Sequence, residues 1–236
     1  MIIGRGQLAK EFSRIDRDDW LVFASGVANS KCVDNKEFER EERLLKSHLA
    51  QSKGKKFIYF SSCALSAGVY KDIPYYKHKM NMERLIMEHA ACYYIFRLPQ
   101  LFGDMKQHPT LINYLWNKIV SQERFPLFTD AYRYVIELSD VRILIEKVVI
   151  ANKNGGLIMN VANPYRYSVM EIVEVIEELA GISALPDMVK KSDGYILPLN
   201  KIEDNLSCES LELGFGKAYL RNKLNKHVEY LANGVT

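Results

Sequence analysis

A tyrosine and a lysine that could act together in proton transfer lie four residues apart in the segment "PYYKHKMNMERL". Tyr75 and Lys79 fall in a predicted helix over about residues 75–90, and a spacing of four places both side chains on one helix face. A nearby ammonium favours the charged form of a phenol, so we expect Lys79 to lower the pKa of Tyr75 from its usual value of about 10. Tyr75 is therefore a candidate general acid or base.

A glycine-containing turn near the amino terminus could bind phosphate. Gly4, Gly6 and Ala9 form the pattern G-x-G-x-x-A between the apolar run "MII" and a predicted helix over about residues 7–15. Such glycines let the backbone approach a pyrophosphate at the positive end of a helix. Arg5 could contact a phosphate or lie in solvent. A strand-to-helix turn that binds nothing could show the same short motif, so this alternative stays open.

Short apolar runs alternate with helical segments over the first two thirds of the chain. Strands that are apolar almost throughout, such as those in "KFIYFSS" and "CYYIFRL", are typical of a sheet that is buried on both faces. The pattern predicts an α/β fold, a Rossmann-like doubly wound parallel sheet with helices on both faces. The first strands are "MII", "LVFASG", "KFIYFSS" and "CYYIFRL", and the helices between them span about residues 7–15, 36–52 and 75–90.

The pattern changes after Gly103. "HPTLINYLWNKIVSQERF" is helical, "YRYVIEL" is strand-like, "DVRILIEKVVIANK" is helical and "GLIMNVAN" is strand-like. "SVMEIVEVIEELAG" predicts a helix with a serine cap, a glutamate three residues later and Gly181 at its end, and the tail predicts short elements. We predict a dinucleotide-binding domain over residues 1–103, completed by about 131–163, and a smaller substrate-binding lobe over 104–130 and 164–236.

The composition is that of a globular protein of modest charge. The 236 residues carry a net charge of +3, which is too small to indicate a nucleic-acid partner. No apolar run approaches the roughly 18 residues needed to cross a bilayer, so we expect no membrane partner and a cytoplasmic location. The pattern contains no CxxC or HExxH, which predicts no metal site. We expect reduced thiols, mostly in the core, at Cys32, Cys63, Cys92 and Cys208.

The motifs together resemble the extended branch of the short-chain dehydrogenase/reductase superfamily, the NAD-dependent epimerases, dehydratases and reductases of sugar nucleotides. The Tyr-x-x-x-Lys pattern after a strand that ends in serines carries the resemblance. "FASGVANS" is similar to the fourth strand and cofactor loop of that branch, and "FRLPQLFGD" to the segment after its sixth strand. "YRYVIELSDVRILIEKVV", "IMNVANPYRYSVMEIVEVI" and "LELGFGKAYLRNKLNKHVEYL" resemble later segments in the same order.

The resemblance implies roles for individual residues. Tyr75 would exchange a proton with a sugar hydroxyl or carbonyl, and Lys79 would also hold the nicotinamide ribose. Ser62 aligns with the residue that hydrogen-bonds the reacting oxygen, and Ser61 is the alternative if the register differs by one. Tyr76 competes with Tyr75, but no lysine follows it four residues later. NAD or NADP would contact Gly4, Arg5, Gly6, Gln7, Leu8, Ala24, Ser25, Gly26, Tyr75, Lys79, Leu98 and Pro99. The substrate would contact Ser62, Cys63, Gln100 and, at its diphosphate, Arg133.

One part of the resembled fold is missing from the sequence. Between the first helix and the "FASG" strand, the family has a second strand that ends in an acid for the adenosine ribose, another helix and a third strand. Here "RIDRDDW" leads directly into the "FASG" strand. We therefore predict a truncated form without the second and third strands. Asp16, Asp18 or Asp19 could replace the missing acid, but nothing in the sequence places them there.

The deletion predicts a narrower sheet with an unpaired edge. Exposed strand edges invite pairing or coverage by other chains. The helices at about 36–52 and 75–90 correspond to those that form the dimer interface of the resembled family. We expect a homodimer through these helices, or through the exposed edge.

Two functions compete. The first is an NAD(P)-dependent oxidoreductase or epimerase that acts on a nucleotide-linked sugar, in surface polysaccharide synthesis. The second is a non-catalytic truncated relative that acts as a regulatory or scaffolding protein. Retention of Ser62, Tyr75 and Lys79 favours the enzyme, whereas loss of the adenosine half of the site favours the alternative. The sequence does not choose between NAD and NADP, nor does it identify the sugar.

Overall fold

The computed structural model describes residues 1–15, 17–68, 70, 72–103, 110–199 and 213–233. The described strands are β1 (Ile2–Ile3), β2 (Trp20–Phe23), β3 (Lys56–Ser62), β4 (Tyr93–Leu98), β5 (Gln100–Phe102), β6 (Phe125–Arg133), β7 (Val135–Glu137), β8 (Leu157–Asn160), β9 (Tyr167–Ser168) and β10 (Pro186–Asp193). The described helices are α1 (Gln7–Phe12), α2 (Asn35–Leu49), α3 (Ala64–Ala67), α4 (Pro74–His89), α5 (Leu111–Val120), α6 (Leu138–Ala151), α7 (Val169–Ala180) and α8 (Tyr219–Asn233).

The chain divides into two compact units. The first unit contains the described residues within Met1–Leu98, Arg142–Val161 and Leu197–Asn205. The second unit contains those within Pro99–Val141, Ala162–Ile196 and Leu206–Thr236. The assignment of cofactor binding to one domain and of substrate binding to the other stays a prediction.

The first unit is built on a five-stranded parallel sheet in the order β1-β2-β3-β4-β8. This confirms the predicted α/β fold with a parallel sheet. Among the described residues, β1 pairs only with β2 and forms one edge of the sheet. The predicted narrowing is therefore confirmed, because a first strand that is flanked on both sides in the doubly wound fold is here an edge strand.

Helices cover both faces of this sheet. Phe57 and Tyr59 of β3 lie in the core that also contains buried apolar residues of α2 and α4. Phe60, on the opposite face of β3, packs against Phe12 of α1 at 5.1 Å between ring centroids. On that second face Arg142 of α6 donates to Glu11 of α1 at 2.9 Å. Thus α2 and α4 cover one face of the sheet, and α1 and the part of α6 in the first unit cover the other.

The order of the strands makes one connection unusual. Each step from β1 to β2 and from β2 to β3 moves in the same direction across the parallel sheet. Because α1 and α2 lie on opposite faces, the two crossovers have opposite hands, so one of them is left-handed. Right-handed crossovers account for about 98% of such connections. A left-handed crossover is expected if a doubly wound sheet loses the strands beyond β1 while α1 keeps its face.

The second unit contains a three-stranded sheet, β10-β6-β9, and the parallel pair β5-β7. Helix α7 has the predicted caps: the Ser168 hydroxyl accepts from the amide of Glu171, whose carboxylate accepts from the amide of Ser168. Gly181 ends the helix in a left-handed conformation with φ +66°. These contacts explain why the bounds of α7 were predictable from local sequence.

The carboxy-terminal part differs from the sequence prediction. Short elements were expected, whereas α8 is a helix of 15 residues. It is held within the second unit by the Tyr219 hydroxyl, which donates to Asp140 at 2.5 Å, and by Lys223, which donates to Asp140 at 2.7 Å. Strand β10 was not predicted, because most of its residues are exposed and it lacks an alternating apolar pattern.

Three cysteines are described, and each is free of a disulfide. Only Cys63 is buried, whereas Cys32 and Cys92 are half-buried, so the expectation that most thiols lie in the core is wrong for the described ones. Cys208 lies outside the described residues. No helix in the described part of the chain has the length and apolar character to cross a membrane. Within these same residues, no three His, Cys, Asp or Glu side chains group as metal ligands would.

Candidate functional site

The first unit gathers candidate residues at the carboxyl ends of its strands. Ile3 of β1 pairs with Phe23 of β2, so Gly4 and Ala24 follow neighbouring strand ends. Ser62 pairs with Leu98, the last residue of β4. Ligands of open α/β sheets bind in the crevice outside the carboxyl ends of the strands. The predicted cofactor residues of the first unit that border these strands therefore share one edge of the sheet.

The turn after β1 requires glycine at one position and leaves space at another. Gly4 has φ +127°, and a Cβ there would lie 2.4 Å from the carbonyl oxygen of Ala24. Gly6 precedes α1 with an extended backbone, and a Cβ there would meet no atom of the described residues within 4 Å. Arg5 is exposed, and Gln7 and Leu8 are half-buried in the first turn of α1. Close packing thus requires glycine at position 4, whereas the described residues leave space for a side chain at position 6.

The residues considered as substitutes for the ribose-binding acid do not reach this edge. Asp18 and Asp19 come immediately before β2, at its amino end, and the carbonyl of Asp19 accepts from the amide of Lys56 at the start of β3. A strand of four residues separates them from Ala24, which is roughly 13 Å at the usual rise per residue. Asp18 and Asp19 are therefore wrong as substitutes. Asp16 lies outside the described residues.

Helix α4 brings Tyr75 and Lys79 together. Both side chains lie on its buried face, and the Lys79 Nζ is 5.8 Å from the centroid of the Tyr75 ring. Tyr76, the competing residue, is half-buried, stacks on Tyr70 and meets the Tyr75 ring edge-on. The ring of Tyr75 thus lies over the Lys79 ammonium. The spacing of four residues thus produces the predicted proximity.

The Lys79 ammonium is paired with a buried carboxylate from α2. Its Nζ donates to Glu41 Oε1 at 3.0 Å and to the Tyr59 hydroxyl oxygen at 3.0 Å. Glu41 is fully buried and also accepts from the Tyr59 hydroxyl at 2.7 Å, from the Val27 amide at 2.6 Å and from His78 Nε2 at 2.9 Å. Lys79 itself is only 2% exposed. The expected catalytic lysine is therefore held by an internal counter-ion.

The pKa of Tyr75 is raised in this structure, whereas the sequence analysis expected it to be lowered. Burial raises the pKa of Tyr75 most, and Tyr76, Glu41 and Cys63 raise it further. Burial alone would also raise the pKa of Glu41, but Lys79 and the hydrogen bonds from His78, Tyr59 and Val27 lower it to about 2. The prediction that the pKa of Tyr75 is lowered is wrong in this structure, because burial of the phenol raises it most and the Glu41 carboxylate beside Lys79 raises it further.

The two serines at the end of β3 lie on opposite faces of the sheet. Side chains alternate along the unbroken register of β3 with β4, so Ser61 shares the face of Tyr59, which α2 and α4 cover. Ser62 shares the face of Phe60. The buried Ser61 hydroxyl has no hydrogen-bond partner among the described residues. The face and the unpaired hydroxyl favour Ser61, the alternative in the sequence analysis, as the residue that assists Tyr75; the choice between them stays a prediction.

The loop after β2 joins the glycine turn to the lysine. Ala24 contacts Gly4, and two residues later a Cβ at Gly26 would lie 2.7 Å from Lys79 Nζ. The carbonyl of Ser25 accepts from Arg40 of α2 at 3.3 Å. Ala24, Ser25 and Gly26 are half-buried. The predicted cofactor loop is thus in contact with both predicted parts of the cofactor site.

Sequence reasoning missed Glu41, Tyr59 and His78. A signal for Glu41 was present: it lies on the same stripe of α2 as Phe38 and Leu45, where a helix that packs on a sheet normally has apolar residues. A charged residue on such a stripe requires a buried partner. His78 stacks on Phe38 at 4.6 Å between ring centroids, which orients its ring towards Glu41.

The remaining substrate candidates are divided between the units. Cys63 is buried at the start of α3, and its amide donates to the carbonyl of Leu98 at 3.0 Å. Gln100 and Arg133 belong to the second unit, as does Pro99, which was predicted to contact the cofactor. Gln100 begins β5 and is half-buried. The Arg133 guanidinium is occupied within the second unit, where it donates to the side chain of Asp193 at 2.5 Å and to its carbonyl at 2.9 Å.

Comparisons with known proteins identify the fold. No protein-family model matches the chain, and no curated protein matches its sequence. MoeE5 in complex with UDP-glucuronic acid and NAD is similar with a TM-score of 0.72 and 18% identity, over 98% of this chain and 85% of that chain. The chain has the fold of the NAD-dependent sugar-nucleotide epimerases and dehydratases. The resemblance inferred from the motifs is thereby confirmed for the fold.

Two further solved structures support the same fold. UDP-glucuronic acid 4-epimerase from Bacillus cereus, in complex with UDP-glucuronic acid and NAD, has a TM-score of 0.66 and 18% identity over 92% of this chain and 79% of that chain. dTDP-glucose 4,6-dehydratase from Bacillus anthracis, in complex with NAD, has a TM-score of 0.68 and 16% identity over 92% of this chain and 73% of that chain. The unmatched part of each longer chain is consistent with the strands missing here.

Proposed function

We propose that this protein binds NAD and acts on a nucleotide-linked sugar, as an epimerase, dehydratase or reductase of the short-chain dehydrogenase/reductase type. The observation that carries the proposal is a continuous set of contacts at the carboxyl edge of the sheet. It runs from Gly4 to Ala24 and from Gly26 to Lys79, and Lys79 lies beneath the ring of Tyr75. The glycine turn and the tyrosine–lysine pair, which are far apart in the sequence, are thereby joined in one region.

The residues fit one half of the cofactor better than the other. Open space beside Gly6 suits the close approach of a pyrophosphate to the backbone, and Lys79 is the candidate for the nicotinamide ribose. On the adenosine side, Asp18 and Asp19 lie at the wrong end of the sheet. Bound NAD would supply hydride chemistry. We propose NAD rather than NADP, since the similar solved structures are described as complexes with NAD.

The remaining residues would act on the substrate. Tyr75 would transfer a proton at a sugar oxygen, and a hydroxyl at the end of β3 would hydrogen-bond the same oxygen. Arg133 is the proposed contact for the diphosphate, where a phosphate would compete with Asp193 for the guanidinium. Cys63 and Gln100 are proposed further contacts. Surface polysaccharide synthesis, as the biological setting, rests on the sequence resemblance alone.

A titration of the full chain with NADH and NADPH, followed by nucleotide fluorescence, tests the function. We expect NADH binding in the micromolar to millimolar range, since the adenosine contact is missing. Conversion of UDP-glucuronic acid, UDP-glucose or dTDP-glucose would then be followed. Net consumption of NADH with a keto-sugar nucleotide would identify a reductase, and turnover of one of these three sugars with NAD⁺ but without net change in the nucleotide would identify an epimerase or dehydratase. Absence of binding to both nucleotides at millimolar concentration would refute the proposal and leave the non-catalytic alternative.

Ser61→Ala is expected to lower activity without lowering stability. The buried Ser61 hydroxyl has no hydrogen-bond partner to lose among the described residues, so we expect the free energy of unfolding to stay within about 0.5 kcal/mol. If this hydroxyl bonds the reacting oxygen, kcat should fall roughly 10- to 1000-fold. Ser62→Ala, on the other face, is the matched control and should change kcat less than about threefold. The reverse pattern would assign the role to Ser62.

We also propose a homodimer through α2 and α4. These helices contact each other, and α4 exposes Met80 and Met87. Light scattering after size-exclusion chromatography distinguishes a dimer from a monomer.

A further inference from the structure

The ammonium of Lys79 is bound by a carboxylate, not by the phenol beside it. Its Nζ lies 3.0 Å and 3.4 Å from the two carboxylate oxygens of Glu41, whereas the ring centroid of Tyr75 is 5.8 Å away. From this geometry we infer that Glu41 is a positioning residue that neutralises Lys79 and so keeps Tyr75 as a neutral, proton-donating phenol. The role of Tyr75 as the reacting acid rests on the proposed function, whereas the pairing of Glu41 with Lys79 does not.

Charge separation explains why the pairing matters. An isolated ammonium about 6 Å from a phenol would stabilise the phenolate, and more so in a buried site where the effective dielectric constant is low. A carboxylate in contact with that ammonium repels the phenolate and largely cancels the attraction. Tyr75 therefore faces an ion pair with no net charge.

Contacts from three parts of the first unit fix the Glu41 carboxylate. It accepts from the Val27 amide after β2, from the Tyr59 hydroxyl on β3 and from His78 on α4, in addition to Lys79. Glu41 is fully buried, so no solvent competes for its oxygens. A carboxylate with four donors has little freedom to release Lys79 towards Tyr75.

The other groups around Tyr75 also favour its neutral form. Burial, Tyr76, Glu41 and Cys63 each raise the pKa of Tyr75. The Tyr59 phenol is itself kept neutral, since burial and Glu41 raise its pKa well above the usual value. Among the described residues, the titratable groups that face Tyr75 or the Glu41–Lys79 pair are Tyr76, His78 and Lys79 on α4, Glu41 on α2, Cys63 at the start of α3 and Tyr59 on β3.

The proton state of Tyr75 sets the direction that the site favours. A neutral phenol could donate its proton to a substrate carbonyl oxygen, and a bound reduced nicotinamide would supply the hydride for the carbonyl carbon. The phenol O–H bond breaks, the substrate gains an O–H bond, and the phenolate then takes a proton from water. Removal of a proton from a sugar hydroxyl requires the phenolate, which the neutralised Lys79 does not stabilise. A neutral Tyr75 would therefore serve the reductive half-reaction directly, whereas the oxidative half-reaction would first require loss of its proton.

The test measures the titration of Tyr75 in the protein without ligand, so it remains valid if no NAD activity is found. A fluorinated tyrosine, whose more acidic phenol titrates in an accessible range, is incorporated at position 75 only, and fluorine NMR follows its ionisation. Glu41→Gln should lower the midpoint by one pH unit or more, because Lys79 is then unneutralised. Glu41→Asp, which keeps the charge, should restore the original midpoint to within a few tenths of a unit.

Glu83→Gln is the matched control, since Glu83 is a buried carboxylate of α4 that pairs with Arg97 instead of Lys79. The Glu83→Gln variant should leave the midpoint of the Tyr75 titration unchanged. If Glu41→Gln does not fold, the double variant Glu41→Gln with Lys79→Met replaces the ion pair by two neutral side chains, and the midpoint should stay near the original value. A midpoint that does not fall in folded Glu41→Gln, or that rises by a unit or more in the double variant, overturns the inference.

Discussion

Tyr75→Phe should lower kcat about 100- to 10,000-fold, the range typical of the loss of a general acid or base. The affinity for NADH should fall much less than kcat, since the ring of Tyr75, which is also a predicted cofactor contact, is kept in phenylalanine. The ring stays in place in phenylalanine, so we expect the folded structure to be retained. Steady-state kinetics with the nucleotide sugar that proves active, together with NADH titration, separates the two quantities.

Tyr76→Phe is the matched control for this variant. Tyr76 is adjacent in sequence but half-buried and stacked on Tyr70. The kcat of the Tyr76→Phe variant should stay within about threefold of that of the original protein, as for most substitutions outside a catalytic group. An equal loss of kcat in Tyr75→Phe and Tyr76→Phe, or full activity of Tyr75→Phe, would exclude Tyr75 as the proton-transferring residue.

Gly4→Ala should destabilise the first unit by roughly 3 to 5 kcal/mol, combining backbone strain with overpacking. The backbone of Gly4 has φ +127°, which other residues rarely adopt, and the new Cβ would lie 2.4 Å from the Ala24 carbonyl oxygen. Either β1 or the loop after β2 must move. Urea unfolding followed by circular dichroism measures the loss, and NADH binding should be lost with it.

Gly6→Ala separates stability from binding in the same turn. Its backbone is extended and its Cβ would meet nothing within 4 Å, so the free energy of unfolding should change by less than about 0.5 kcal/mol. If the pyrophosphate approaches the backbone there, NADH affinity should still fall at least tenfold. Unchanged affinity in Gly6→Ala would place the phosphate elsewhere, and a stable Gly4→Ala would contradict the close packing of the turn.

Local sequence patterns determined most of the first unit and part of its site. Apolar runs separated by helical segments predicted the parallel sheet, and the missing segment before "FASG" predicted a narrower sheet with an unpaired edge, which the structure shows to be β1. The four-residue spacing placed Tyr75 and Lys79 on one face of α4, because helix geometry alone fixes that relation. The caps of α7 were predictable for the same reason, since they involve residues only three positions apart.

Tertiary structure alone decided the electrostatics of the site. Glu41 and Lys79 are separated by 38 positions, and they meet only because α2 and α4 pack side by side on one face of the sheet. Strand direction placed Asp18 and Asp19 at the far edge, and strand alternation turned Ser61 rather than Ser62 towards α4. The charge on a buried group depends on which partners reach it, and those partners come from other elements of the fold. The sequence therefore identified Tyr75 and Lys79 as candidates, whereas the packing of α2 against α4 decided that Lys79 contacts the Glu41 carboxylate.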